Sequence, residues 1–259
     1  MQVRTLIASV AALCALAGAP RHAAAQEARK PATLPAGAFR VTAAGGAAMT
    51  DRAWTYAAEI SARAGVSHGI EIAGPLALGV SLYDSGNGSG VVLGAGVVDL
   101  WVTEQGKVLW SPAAALSGQI RLATSASLRA SVDLTGVEQG GAGGEHPAWL
   151  RGAVALLIDV GPYVTVAAGV SYQRRLFGEE TISAAVRELG WAGDARVSLG
   201  AVRTQPFDEL PTLAIHCGEV VDIVAILRAD VDVDSRTTDA RYLLGLRLDL
   251  STRREEASE

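Results

Sequence analysis

Strict alternation of apolar and polar residues, sustained over about ten positions at a time, constrains this chain more than any other feature. From Trp54, one face reads Trp54, Tyr56, Ala58, Ile60 and Ala62, while the other reads Thr55, Ala57, Glu59, Ser61 and Arg63. From Ile70, the apolar row Ile70, Ile72, Leu76, Leu78, Val80, Leu82 opposes Glu71, Ala73, Ala77, Gly79 and Ser81. Leu128, Ala130, Val132 and Leu134 oppose Arg129, Ser131, Asp133 and Thr135, and Val164 to Tyr172 alternates with Thr165 to Gln173. Val221, Ile223, Ala225, Leu227 and Ala229 oppose Asp222, Arg228 and Asp230. The last such segment sets Tyr242, Leu244, Leu246, Leu248 and Leu250 against Arg241, Gly245, Arg247 and Asp249. A period of two belongs to a β-strand whose two faces meet different surroundings. Soluble strands usually run ~5–6 residues, whereas a tilted strand needs about 9–11 to cross a bilayer.

The composition agrees with dispersed apolarity. Hydrophobic residues make up 49% of the 259-residue chain. The longest apolar stretch after the N-terminal region, Gly152 to Val170, is interrupted by Asp159 and by Gly161-Pro162. A membrane barrel has this distribution, because only every second residue touches lipid. A net charge of -5 with no basic cluster argues against a nucleic-acid partner.

Residues 1–25 have the layout of a cleaved secretory signal peptide. Arg4 supplies the positive region, Leu6 to Gly18 the apolar one, and Ala23-Ala24-Ala25 the small-residue cleavage site. The expected mature protein is therefore exported, with a barrel over 26–250 and a polar tail over 251–259. Cys217 would be its single cysteine, in a core position.

Parity sets the strand number, because single-chain outer-membrane barrels have even counts, short periplasmic turns and longer outer loops. Strands at 37–47, 53–64, 69–83, 107–122, 126–136, 149–160, 163–174, 195–215, 219–233 and 239–250 give an antiparallel up-and-down barrel of about 10 strands, within a range of about 8–12. Short turns fall near Gly65–Gly69, Ala123–Ser125, Gly161-Pro162 and His216–Gly218, and longer loops near Tyr83–Gly90, Gly136–Pro147, Arg175–Gly193 and Asp234–Asp239. Val91 to Val102 breaks the parity and reads as a β excursion in an outer loop. The competing segmentation makes it a spanning strand and reaches about 12 by splitting another segment, for example at Gln205-Pro206. Pro75 and Pro112 fall inside drawn strands, where proline removes a ladder donor.

Leader, alternating strands, short turns and Gly-rich loops together resemble small bacterial outer-membrane β-barrels. The last strand, with Gly245, Leu248 and Leu250, is similar to the C-terminal assembly signal of such proteins. The resemblance implies outer-membrane lipid and the outer-membrane assembly machinery as partners. The polar rows supply lumen-facing candidates: Glu59, Arg63, Arg121, Arg129, Asp133, Arg151, Asp159, Arg228, Asp230, Arg247 and Asp249.

No chemistry-bearing motif stands beside them. Gly65-Val66-Ser67-His68-Gly69 matches the G-x-S-x-G elbow of serine hydrolases, but a helix should follow and a strand does. His216 beside Cys217 lacks the further ligands that zinc requires. No cofactor or metal is expected. His146, with Glu145 beside it, is the one histidine at the expected outer rim, and a barrel hydrolase would rely on it. The function expected is non-enzymatic, structural or narrow-pore, with the solute undetermined. The alternatives are a soluble periplasmic ligand-binding β-protein and that hydrolase. Recovery from the outer-membrane fraction with heat-modifiable gel mobility is expected; detergent-free solubility in the periplasm would favour the soluble alternative.

Overall fold

The computed structural model describes residues 33–49, 54–102, 108–136, 138–139, 147–161, 163–177, 195–205, 208–217, 221–233 and 240–251. The strands are β1 (Phe39–Met49), β2 (Trp54–Ser67), β3 (Ile70–Ala73), β4 (Leu76–Asp84), β5 (Gly90–Val102), β6 (Val108–Ala123), β7 (Ala126–Gly136) and β8 (Glu138–Gln139). They continue with β9 (Ala148–Val160), β10 (Val164–Phe177), β11 (Ala195–Gly200), β12 (Val202–Gln205), β13 (Asp208–Leu210), β14 (Leu213–Cys217), β15 (Val221–Asp232) and β16 (Ala240–Ser251). The expected leader, the tail beyond Ser251 and the loop holding His146 lie outside the described residues.

Each wall strand pairs antiparallel with its neighbour in the chain, and the sheet closes on itself. The seam joins first to last strand, β1 to β16, from Arg40↔Ser251 to Met49↔Tyr242. Further round, β9 and β10 pair from Val160↔Val164 to Ala148↔Phe177. β11 and β14 both pair with β10 on one side and β15 on the other, so they are two halves of one interrupted strand. With those halves counted as one, the wall has twelve strands among the described residues. A closed antiparallel barrel is what the alternation implies; the count lies at the upper end of the expected range.

One local reversal and one strand expected to lie in an outer loop account for the difference from ten. The stretch drawn as one strand over 69–83 is a hairpin, β3 and β4, turning at Gly74-Pro75. Ala73 pairs with Ala77 across that turn, so an even step of four separates two residues on the same face. The period-two pattern therefore passes through the reversal undisturbed. This reversal puts the turn at 85–89 on the same rim as Thr124 and Ser125: Arg121 Nη1 donates to the Asn87 carbonyl at 3.1 Å. The loop near Tyr83–Gly90 is thus a tight-turn-side connection, and β5 is a spanning strand, not an excursion. Pro112 is absorbed by a bulge: Val97 pairs with Pro112 and Asp99 with Ser111, leaving Val98 extra.

Among the described residues the outward face is apolar along the middle of the strands. Ile60, Leu78, Leu93, Leu116, Val132, Val154, Val170, Leu227 and Leu246 are all exposed. Trp54, Tyr56 and Tyr242 mark one end of this belt and Tyr83 and Tyr163 the other, the places that amphipathic rings favour at a bilayer's two interfaces. The polar rows point into the barrel, with Arg129 4%, Asp133 4%, Asp230 2% and Asp249 3% exposed. Water would not tolerate so continuous a greasy exterior, and lipid requires it. Leu246→Arg, 58% exposed at the middle of its strand, should cost about 2–4 kcal/mol when unfolding is measured in lipid. An unchanged unfolding midpoint would place that face in water.

Candidate functional site

The interruption between β11 and β14 builds the most distinctive feature of the interior. Gly200 pairs with Arg228 and Leu213 with Ala225. On β15 only Ile226 and Leu227 lie between those partners, whereas the facing strand inserts residues 201–212. The insertion leaves the wall and folds inward as the β12–β13 hairpin, paired Val202↔Leu210, Arg203↔Glu209 and Gln205↔Asp208. Gly200 makes the turn possible. Its φ is +103°, and a Cβ there would come within 2.1 Å of the Leu227 carbonyl oxygen.

The wall repairs the hydrogen bonds that the excursion removes. Ala201 N donates to Leu227 O at 2.8 Å and Thr212 N to Ala225 O at 3.1 Å. Thr212 Oγ1 donates to Leu227 O at 2.9 Å and accepts from Leu227 N at 3.2 Å. On the other flank, Ala167 N donates to Thr212 O at 2.9 Å. In a membrane these bonds matter more than usual, because unsatisfied amides have no water to fall back on.

The hairpin seats in a socket of small residues. Val202 and Leu210 cluster with Ala153, Ala155 and Leu157 of β9 and Ala167 of β10. A Cβ on Gly169 would lie 2.3 Å from Val202 Cγ2 and 3.0 Å from Ala155 Cβ, so only glycine lets the hairpin approach this closely. Burying Val202 and Leu210 contributes roughly 1.5–3 kcal/mol for each side chain.

Polar partners fix the rest of the hairpin. Glu209 pairs with Arg228, and its backbone oxygen accepts from Arg247 Nη1 at 2.6 Å. Ser131 Oγ donates to Arg203 O at 3.3 Å. Around it, Arg151 pairs with Asp133 at 2.9 Å, Arg228 with Asp230 at 3.0 Å, Arg247 with Asp249 at 2.9 Å and Arg196 with Asp232 at 3.0 Å. Arg129 donates to Gln119. These interactions engage seven of the eleven lumen candidates inside the barrel, and removing one partner of an ion pair would strand the other.

The remaining candidates lie apart. Arg63 Nη2 bonds Glu71 at 2.8 Å, and Glu71 also accepts from Leu34 N at 2.9 Å, which ties the incoming chain into one mouth of the barrel. Arg121 lies at the tight-turn rim. Glu59 belongs to β2, with its side chain outside the described set. Asp159 accepts from Thr165 Oγ1 at 2.6 Å; that same oxygen is 3.0 Å from His216 Nε2, and His216 Nδ1 is 2.8 Å from Asp222. The Asp-His-Thr order has the look of a hydrolytic relay, but the Thr165 hydroxyl is already hydrogen-bonded to the Asp159 carboxylate. Thr165 and His216 are also buried, at 1% and 3% exposure. Among the described residues no group of three His, Cys, Asp or Glu side chains converges as a metal site.

Glu71, Thr165, His216, Glu209 and the hairpin escaped sequence reasoning as site components. Glu71 had a legible signal, being the one charge in the polar row of its segment. For the hairpin, Gln205-Pro206 marked the break, but nothing marked its inward course, since its socket is assembled from residues some 35 to 55 positions upstream, Ala153 to Gly169.

No protein-family model and no curated protein matches this chain. Solved structures do. A NanC porin is 9% identical, with 80% of this chain and 98% of that one covered at a TM-score of 0.45. The COG4313 outer membrane channel from Pseudomonas putida F1 is 9% identical, with coverage of 90% and 99% and a TM-score of 0.42. OmpT of Vibrio cholerae is 8% identical, with coverage of 82% and 96% and a TM-score of 0.38. The fold of this chain, read from its own described strands, is a closed antiparallel β-barrel with an apolar exterior. Likeness this remote bears on neither substrate nor mechanism, and the chain's own interior has to supply both.

Gly169→Val should expel Val202 from its socket. Amide exchange at Val202 and Leu210 is expected to accelerate strongly while the β9–β10 ladder stays protected; equal acceleration in both would mean that the glycine supports the wall and not the hairpin.

Proposed function

We propose that this protein is a non-enzymatic outer-membrane barrel that passes small solutes through a lumen narrowed by its own inward hairpin. The observation that carries this reading is the insertion itself. Twelve residues, 201–212, leave the wall opposite two, Ile226 and Leu227, and fold inward onto the lumen side of β10 and β9. A barrel that needed only to be filled could do so with side chains, as narrow barrels do. A separate hairpin, hinged at Gly200 and Thr212, narrows the route at one level.

The chemistry of the route supports solutes of modest size and no strong charge preference. Arginines and carboxylates alternate and neutralise one another around the hairpin, in the pairs Arg151–Asp133, Arg228–Glu209 and Arg247–Asp249. A ring of one sign would select ions by charge; paired rings do not. The outward apolar belt with aromatics at both ends, together with the expected export leader, supports placement in the outer membrane, with lipid and the assembly machinery as partners.

Replacing residues 201–212 by the dipeptide Ala-Thr would restore a continuous strand opposite Ile226 and Leu227. In planar bilayers this variant should conduct several-fold more than the parent while keeping heat-modifiable mobility. Equal conductance in a folded variant would show that the hairpin does not control passage.

A further inference from the structure

The wall is incomplete on one side. The β3–β4 hairpin stops at Gly74-Pro75, where Gly74 N donates to Ala62 O at 2.7 Å. Above that level β2 continues from Ser61 to Trp54, paired with β1 on one side. Among the described residues no strand pairs with its other side. β4 begins at Leu76, paired with Val97, so β5 from Val98 to Val102 likewise has only β6 beside it. Gly96 lets the β4 tip sit tightly against β5 at the corner of this notch: its φ is +144°, and a Cβ would lie 2.4 Å from Leu76 O.

Exposure reports the same gap independently. Ile60 is 82%, Tyr56 80% and Leu76 71% exposed, and among the described residues no other exposed large hydrophobic exceeds 60%. Outward residues with strands on both sides are shielded from both; these three, at the notch's edges, are not. The notch runs from mid-wall at Ala62 to Tyr56, whose neighbour by register, Ala47, lies two residues from Met49, the partner of Tyr242. It therefore faces the outer half of the apolar belt. Open sheet edges are tolerated at membrane depth only where they line a solvated cavity, so the notch connects the lumen with the bilayer.

The lumen behind it is divided by chemistry. Between Ala73 and Gln119, away from Asp84 at the tight-turn rim, the described inward side chains are small or uncharged, including Ala77, Val92, Ala115 and Ser117. The rest of the wall, beginning with β7 directly beside β6, carries Arg129, Asp133, Arg151, Arg228 and Arg247. On the outer surface beside β5, a groove of about 510 Å³ lined by Val97, Trp110, Pro112, Ala114 and Leu134 adjoins the same corner.

The geometry points to a lateral window through which a single-chain amphiphile moves between lumen and outer leaflet, its alkyl chain along the strip of small uncharged residues and its head group toward the charged wall. This assignment rests on the solute-passage reading and names its substrate class.

The test is photolabelling of the full-length protein in phospholipid vesicles with an n-dodecyl amphiphile bearing a terminal diazirine. Adducts are expected on the inward residues Ala73, Ala77 and Ala115. Ala73→Trp, at the window's lower lip, should reduce them several-fold; if that variant does not fold, the milder Ala77→Leu should do the same. Adducts confined to outward residues such as Leu78 and Leu116 would overturn the window. So would cross-linking that captures a dimer through Trp54–Ser61, because a second copy would then complete the wall. Conductance is read separately. Inward adducts in a protein whose hairpin replacement leaves conductance unchanged keep the window and discard hairpin-controlled passage. The converse result discards the window alone.

Discussion

Closure of the backbone ladder is the constraint on which everything else in this protein depends. Hydrocarbon offers no partner to an amide, so a sheet can live in it only if nearly every strand has two neighbours. The seam between β1 and β16 supplies that closure, joining residues more than 190 positions apart, such as Met49 and Tyr242. Once closed, the sheet leaves its side chains two destinations, lipid or lumen. The outward rows of Leu, Val and Ile and the inward rows of Arg, Asp and Ser follow from it.

The interior solves the opposite problem. Charges that face inward are shielded from bulk water and are costly unless paired. The lumen answers with neighbouring pairs, Arg151 with Asp133, Arg247 with Asp249 and Arg228 with both Glu209 and Asp230. Glu209 comes from the inward hairpin, so the same ion pairs that satisfy the wall also anchor the element that narrows the route. Where the ladder departs from regularity, it does so in two ways. At the hairpin, Thr212 and Ala201 replace the lost bonds. At the β2–β5 notch no replacement exists among the described strands, and there the opening connects to lipid.

The alternation made the barrel, its outward face and its inward candidates legible, because each strand's two faces are set by local sequence and a period of two. Two features stayed hidden for reasons of geometry. The reversal at Gly74-Pro75 preserves the phase of the pattern, so Ile70 to Leu82 looks like one strand whether or not the chain turns back. Pro75 was the residue that betrayed it. The stretch from Ala201 to Thr212 contains ordinary strand formers with two prolines, Pro206 and Pro211, and nothing within it says that Val202 leaves the wall.

What the sequence by itself determined is therefore which side of each strand is greasy and which is polar, since that depends only on alternate residues along one segment. What only the tertiary structure decided is the strand count, the inward course of the hairpin and the gap between β2 and β5. Each of these depends on contacts between distant segments: Gly169 and Ala155 making room for Val202, and Ala62 meeting Gly74 where the wall stops short. Periodicity along a chain carries no record of such meetings.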